Sequence, residues 1–164
     1  MARPAGAKSV KPVIAIVIAA LLLVAGLYAF LEWQNSRPGT PVRELRVEVT
    51  SAGKTLEVEP YTVCELDEEC PGGQPPSMEL DEAAVHVSVP AEIANSSWRM
   101  LAIYDDPAAN NETVYTSGEA SEHDVEAVTE SGARLVVAEV SALAIDHDAS
   151  GEEIPVIATW SVGF

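Results

Sequence analysis

Two kinds of hydrophobic patterning divide the chain. From Val13 to Leu31 the sequence VIAIVIAALLLVAGLYAFL carries no charged side chain. Beyond residue 42, apolar side chains recur at every second position, the period of a strand with one buried face. Between them lies NSRPGTP, residues 35–41, stiffened by Pro38 and Pro41 and free to turn at Gly39. At ~1.5 Å rise per residue the uncharged run makes a helix of about 28 Å, matching a hydrocarbon core of ~30 Å. Pro12 precedes it, where a missing N–H leaves no helical bond unmade. Tyr28, Phe30 and Trp33 gather at its far end, as rings do at a head-group boundary.

The alternating part predicts strands. In residues 42–50, Leu45, Val47 and Val49 share one face and Glu44, Arg46 and Glu48 the other. Residues 55–59 repeat the pattern with Leu56 and Val58, and Ser51-Ala52-Gly53-Lys54 reads as the hairpin turn between the two. Residues 61–64, 84–89, 98–104, 113–116 and 123–128 are further strands; the 98–104 segment is apolar on both faces and so predicts a central strand. Pro90 and Asp105-Asp106-Pro107 end two of them. Residues 133–145 are almost wholly apolar, and in residues 154–164 Ile154, Val156, Ala158, Trp160, Val162 and Phe164 fall on one face. With the polar loop 146–153 between them, they predict a long β-hairpin. About seven to nine short strands and no amphipathic helix predict an all-β, two-sheet sandwich preceded by one membrane-spanning helix.

Charge changes the picture by orienting the chain. Arg3, Lys8 and Lys11 precede the apolar run, and Glu32 follows it. The positive-inside rule then makes residues 1–12 a cytoplasmic tail, 13–31 a signal-anchor, 32–41 a linker and 42–164 an extracytoplasmic domain in the cell envelope. The rival reading is a cleaved signal peptide and a secreted domain, with Val24-Ala25-Gly26 as a poor cleavage site. Setting Glu32 aside from the 26 acids, and the three tail bases from the 9, leaves 25 and 6 from residue 33 onward, about −19 by formal count. Such a surface repels phosphate backbones, so nucleic acid is excluded as a partner; cations or a basic protein patch are what its field attracts.

Cys64 and Cys70 are the only cysteines, and outside the cytoplasm they are expected to form a disulfide. The enclosed residues Glu65, Leu66, Asp67, Glu68 and Glu69 include four carboxylates, a candidate cation loop. A second metal candidate is Asp146, Asp148, Ser150 and Glu153, spaced like the start of a calcium loop, although Ile157 stands where the bidentate Glu would be. A polar turn competes with that reading, since tight turns favour Asp, Ser and Gly for backbone reasons. No G-x-S-x-G elbow, HExxH helix, CxxC pair or glycine-rich phosphate loop occurs, and His86 falls on the polar face of its strand. No catalytic residue and no cofactor is therefore assigned.

The N-terminal apolar anchor, Cys64 with Cys70, VHVSVP at residues 85–90, Ser97-Trp98-Arg99 and Tyr104 together resemble an actinobacterial family of exported domains of unknown function. That resemblance implies an envelope location and an immunoglobulin-like sandwich, and transfers no activity. The expected function is a membrane-anchored, non-catalytic module contacting an envelope protein or cell-wall polymer. The alternatives are an extracytoplasmic cation-binding or sensing domain, and an enzyme without a recognisable motif.

Overall fold

The computed structural model describes residues 11–35, 40–66, 68, 70, 72–148 and 150–164. Arg3 and Lys8 of the tail, linker residues 36–39, Asp67 and Glu69 of the cysteine loop, and Pro71 lie outside them. The chain divides into two compact units, Met1–Gly39 and Thr40–Phe164.

In the first unit, α1 runs Lys11–Asn35, longer at both ends than the uncharged run. Pro12 fits its first turn, and Glu32 and Trp33 continue it without a breaker. Its window Ile16–Trp33 has a mean hydropathy of 2.2 and is long and apolar enough to cross a membrane. Phe30 and Trp33 approach to 6.1 Å between ring centres near its end.

The second unit is a two-sheet antiparallel sandwich. Its strands are β1 (Val47–Ser51), β2 (Lys54–Val58), β3 (Thr62–Glu65), β4 (Ala84–Ser88), β5 (Trp98–Tyr104), β6 (Asn111–Tyr115), β7 (Glu122–Glu126), β8 (Leu135–His147) and β9 (Glu153–Gly163). One sheet has the order β2-β1-β4-β7 and the other β3-β9-β8-β5-β6. Strands β1-β4-β7 opposite β6-β5-β8-β9 follow the immunoglobulin order A-B-E opposite C′-C-F-G; β2 extends the first sheet and β3 the second. Trp98 on β5 occupies the strand-C position, 1% exposed, and its indole N–H donates to the Ala120 carbonyl at 3.0 Å.

The alternation predicted from sequence is realised. Val47, Val49, Val58, Val85, Val87 and Val125 of one sheet pack against Met100, Val140, Val156, Trp160 and Val162 of the other. With few aromatic residues, valine supplies most of this core, as β-branched side chains suit a pleated surface. The β1–β2 connection is a two-residue turn in which Ala52 and Gly53 both have positive φ, 49° and 71°, the geometry that matches strand twist.

The bounds of β2, β3, β6, β7 and β8 shift by one or two residues from expectation, and three differences bear on the surface. Val42–Glu44 is a 3-10 turn rather than strand, although Val42 and Leu45 are buried as the alternation required. Pro90 is followed by one helical turn, α2, Ala91–Ala94, which buries Ile93. The last hairpin is longer than its apolar residues suggested: His147 pairs with Glu153, so Asp146, His147 and Glu153 are strand residues, and the turn between the strands is 148–152.

Candidate functional site

The two outer faces of the sandwich have opposite chemistry. On the four-stranded sheet, strand register aligns Glu57, Glu48, Ser88 and Glu122 in one row, and Thr55, Thr50, His86 and Asp124 in the next. His86 lies between acids, 2.7 Å from Asp124 and 3.7 Å from Glu122. This is an ordinary solvent face.

The five-stranded sheet is different. Register places Glu112, Leu101, Glu139 and Ser161 in one row across it. The next row is Val114, Arg99, Ser141, Thr159 and Thr62. Then come Leu143, Ile157 and Cys64, followed by Ile145 with Pro155, and finally His147 with Glu153. Val114 is 62% exposed, Leu143 and Ile145 each 55%, and Ile157 40%. Val114, Leu143 and Ile157 line one shallow depression with Ser97 and Arg99, among others, and Ile145 is the next outward-facing position of β8 after Leu143. They form a continuous apolar band, where scattered single exposures would need no explanation. Carboxylates bound the band on both sides. Glu112 lies 3.7 Å from Arg99, and burial pushes the Glu139 carboxyl above its ordinary range, Arg99 and Ser141 opposing the rise.

The sequence-predicted site residues separate. Cys64 and Cys70 are joined, with their Cα atoms 5.8 Å apart, so the disulfide closes beside Ile157 at one edge of the band. The four metal candidates Asp146, Asp148, Ser150 and Glu153 do not converge. Asp146 is on the inward phase of β8, 8% exposed, and accepts from Arg43 Nε at 2.9 Å. Asp148 Oδ1 accepts from Ser150 N, Ser150 Oγ and Glu152 N at 2.7 to 2.9 Å, which holds its carboxyl below the usual range. Glu153 lies across the ladder from His147. Ser150 and Gly151 donate to Asp148, and the three shape their own turn. Among the described residues, no group of three or more His, Cys, Asp or Glu is placed to hold a metal ion.

A side cleft of about 360 Å³ opens between the sheet edges β6 and β7, with Met100, Ala102 and Tyr104 as floor and Thr113, His123 and Asp124 among its walls. One imidazole nitrogen of His123 is taken by the Tyr115 hydroxyl, and Tyr115 stacks on Trp98 at 4.5 Å between centres. Burial lowers the His123 pKa, with Asp124 opposing. Tyr104 donates its hydroxyl to the Glu126 carbonyl at 2.9 Å, and burial raises its pKa. The cleft's best proton-transfer groups are therefore engaged in holding β5, β6 and β7 together.

Sequence reading missed the apolar band because Leu143 and Ile145 are as apolar as the core positions of β8. The available signal was pairing: β9 alternates cleanly, and setting it against β8 puts Ile157, which is off its core face, opposite Leu143.

The fold and surface thus define an immunoglobulin-like sandwich with one apolar outer face, preceded by an apolar helix. A family model described as "Protein of unknown function (DUF2771)" matches residues 40–164, and the chain belongs to that family. Uncharacterized proteins of Mycobacterium bovis and of Mycobacterium tuberculosis are 29% identical to it over 157 residues, covering 92% of this chain and 93% of theirs. Residues 40–164 are only 125 of the 164, so that likeness also reaches into the apolar N-terminal segment. No solved structure matches the chain.

Proposed function

We propose that the chain is a single-pass, membrane-anchored envelope protein whose extracytoplasmic sandwich is a non-catalytic interaction module. The proposed topology keeps the basic residues Arg3, Lys8 and Lys11 in the cytoplasm and α1 in the bilayer. The observation that carries the interaction role is the contrast between the two outer faces. A sheet face meant only for water carries polar side chains, as the β2-β1-β4-β7 face does; Val114, Leu143, Ile145 and Ile157 expose apolar surface together on the other.

The test is site-specific photo-crosslinking in growing cells of the native host. A photoreactive residue replaces Leu143 in one strain and Glu57, on the opposite outer face, in another. The module reading predicts one discrete adduct from position 143 and none from position 57. Equal adducts from both positions, or none from either, would remove it.

A further inference from the structure

We infer that the apolar band on the β3-β9-β8-β5-β6 face docks a protein segment that is apolar on one side and basic along its flanks. This rests on the interaction-module reading and specifies the partner's chemistry. The reasoning is charge complementarity. Acids stand on both sides of the band: Glu112 and Glu139 share a row on one side, and Glu153 closes the ladder on the other. Arg99, the guanidinium within the band, is paired with Glu112 at 3.7 Å, and His147 stands opposite Glu153 at the far end. Glu139 is half-buried, and its carboxyl is destabilised in the charged form by that burial. A basic group brought alongside would relieve this, while an acidic one would worsen it.

The same charges select against the other occupants. Residues 40–164 carry 25 acids and only Arg43, Arg46, Lys54, Arg99 and Arg134 as bases, a formal charge of −20. Two copies meeting through this face would bring like-charged rows together, because a two-fold interface presents the same patch from both sides. An anionic lipid surface meets the same acids. A basic rim around an apolar contact gains from both terms: the apolar band supplies area, and the charges supply steering and selectivity.

The experiment uses the full chain in nanodiscs of zwitterionic lipid, with empty discs subtracted, at near-physiological salt. Three dye-labelled amphipathic peptides of equal length are titrated by fluorescence anisotropy: Leu/Lys, Leu/Glu and Ser/Lys. The expected result is saturable binding of Leu/Lys alone. It weakens at least tenfold in the double variant Leu143→Ser/Ile157→Ser, and several-fold in Glu112→Gln/Glu139→Gln. All these side chains lie on the outer face, and an unchanged melting temperature shows that each variant is folded. Binding of Leu/Glu as tight as Leu/Lys, or indifference to the double variant, overturns the proposal. So does a dimer of the detergent-solubilised chain that Leu143→Ser/Ile157→Ser dissociates, which assigns the face to a second copy. Lipid shielding of an environment-sensitive probe at position 143, with no peptide added, assigns it to the bilayer and likewise overturns the proposal. Discrete crosslinks from position 143 in cells without peptide selectivity here would sink the choice of partner alone. Absent crosslinks would sink the module reading with it.

Discussion

Replacing Trp160 with Phe tests the architecture at the point where the domain's first residues meet its core. Trp160 on β9 is 1% exposed, and its indole N–H donates to the carbonyl of Leu45 at 3.2 Å. That bond ties the segment before β1 across the sandwich to the other sheet. The Leu45 carbonyl keeps a second donor, Arg46 Nη1 at 3.3 Å, so losing the indole bond costs about 0.5–1.5 kcal/mol. The smaller ring also vacates about 40 Å³, which at about 24 cal/mol per Å³ adds about 1 kcal/mol. The expected loss is therefore about 1.5–2.5 kcal/mol, a melting temperature lower by about 5–10 °C for a domain of this size. Leu143→Ser is the internal control. It removes a larger apolar fraction of its side chain, yet Leu143 is 55% exposed on the outer face, so its cost should stay within about 0.5 kcal/mol. The assay is guanidinium and thermal unfolding of the full chain in detergent micelles, followed by near-ultraviolet circular dichroism. A Trp160→Phe loss under about 0.5 kcal/mol, or a Leu143→Ser loss as large as that of Trp160→Phe, would refute the assignment of inner and outer faces.

Further outcomes follow from the same structure. Ala52 sits at φ 49° beside Gly53 at 71°, so Ala52→Asn should stabilise by about 0.5 kcal/mol and Gly53→Ala should cost about 1 kcal/mol, both read from denaturant midpoints. Cys64→Ser/Cys70→Ser removes a small closed loop and should lower stability by about 2 kcal/mol without loss of the sheet signal in far-ultraviolet circular dichroism. Burial disfavours the charged form of His123, against the pull of Asp124, so its folded pKa lies below the unfolded value of about 6.5. The unfolded chain then binds the extra proton first, and stability falls as pH drops below about 6.5 until the folded-state pKa is passed. The melting temperature of the wild type should therefore fall more steeply between pH 7.5 and 5.5 than that of His123→Gln; identical slopes would show that His123 carries no such linkage.

Much of the sandwich was legible because period-two alternation is a direct record of burial. Val47, Val49, Val85, Val87 and the Val156-Ala158-Trp160-Val162 series all face the core as their spacing required. The misplacements have local causes. Asp146 and His147 read as loop because they are polar; yet Val140, Ala142 and Ala144 set a phase that carries Asp146 inward, where Arg43 meets it. That partner lies 103 positions away and no local pattern announces it. The Asp-x-Ser-Gly spacing after it resembles ligand spacing because a turn and a cation loop both recruit carboxylates to gather nearby donors or charge; here the donors are two backbone N–H groups and the Ser150 hydroxyl. The apolar outer face was illegible for the opposite reason. A sheet position that docks a partner has the same residue type as one that fills the core, and only strand pairing tells them apart.

The location of the domain underlies every functional proposal made for it, and the oxidation state of its two cysteines measures that location in the living cell. Cells of the native host, quenched in acid and treated with a heavy maleimide before any reduction, should yield a chain with no mass added if the joined Cys64 and Cys70 lie, as proposed, on the oxidising side of the membrane. Reduction first should add two labels. A chain that takes up both labels without prior reduction would place the domain in the reducing cytoplasm and contradict the account.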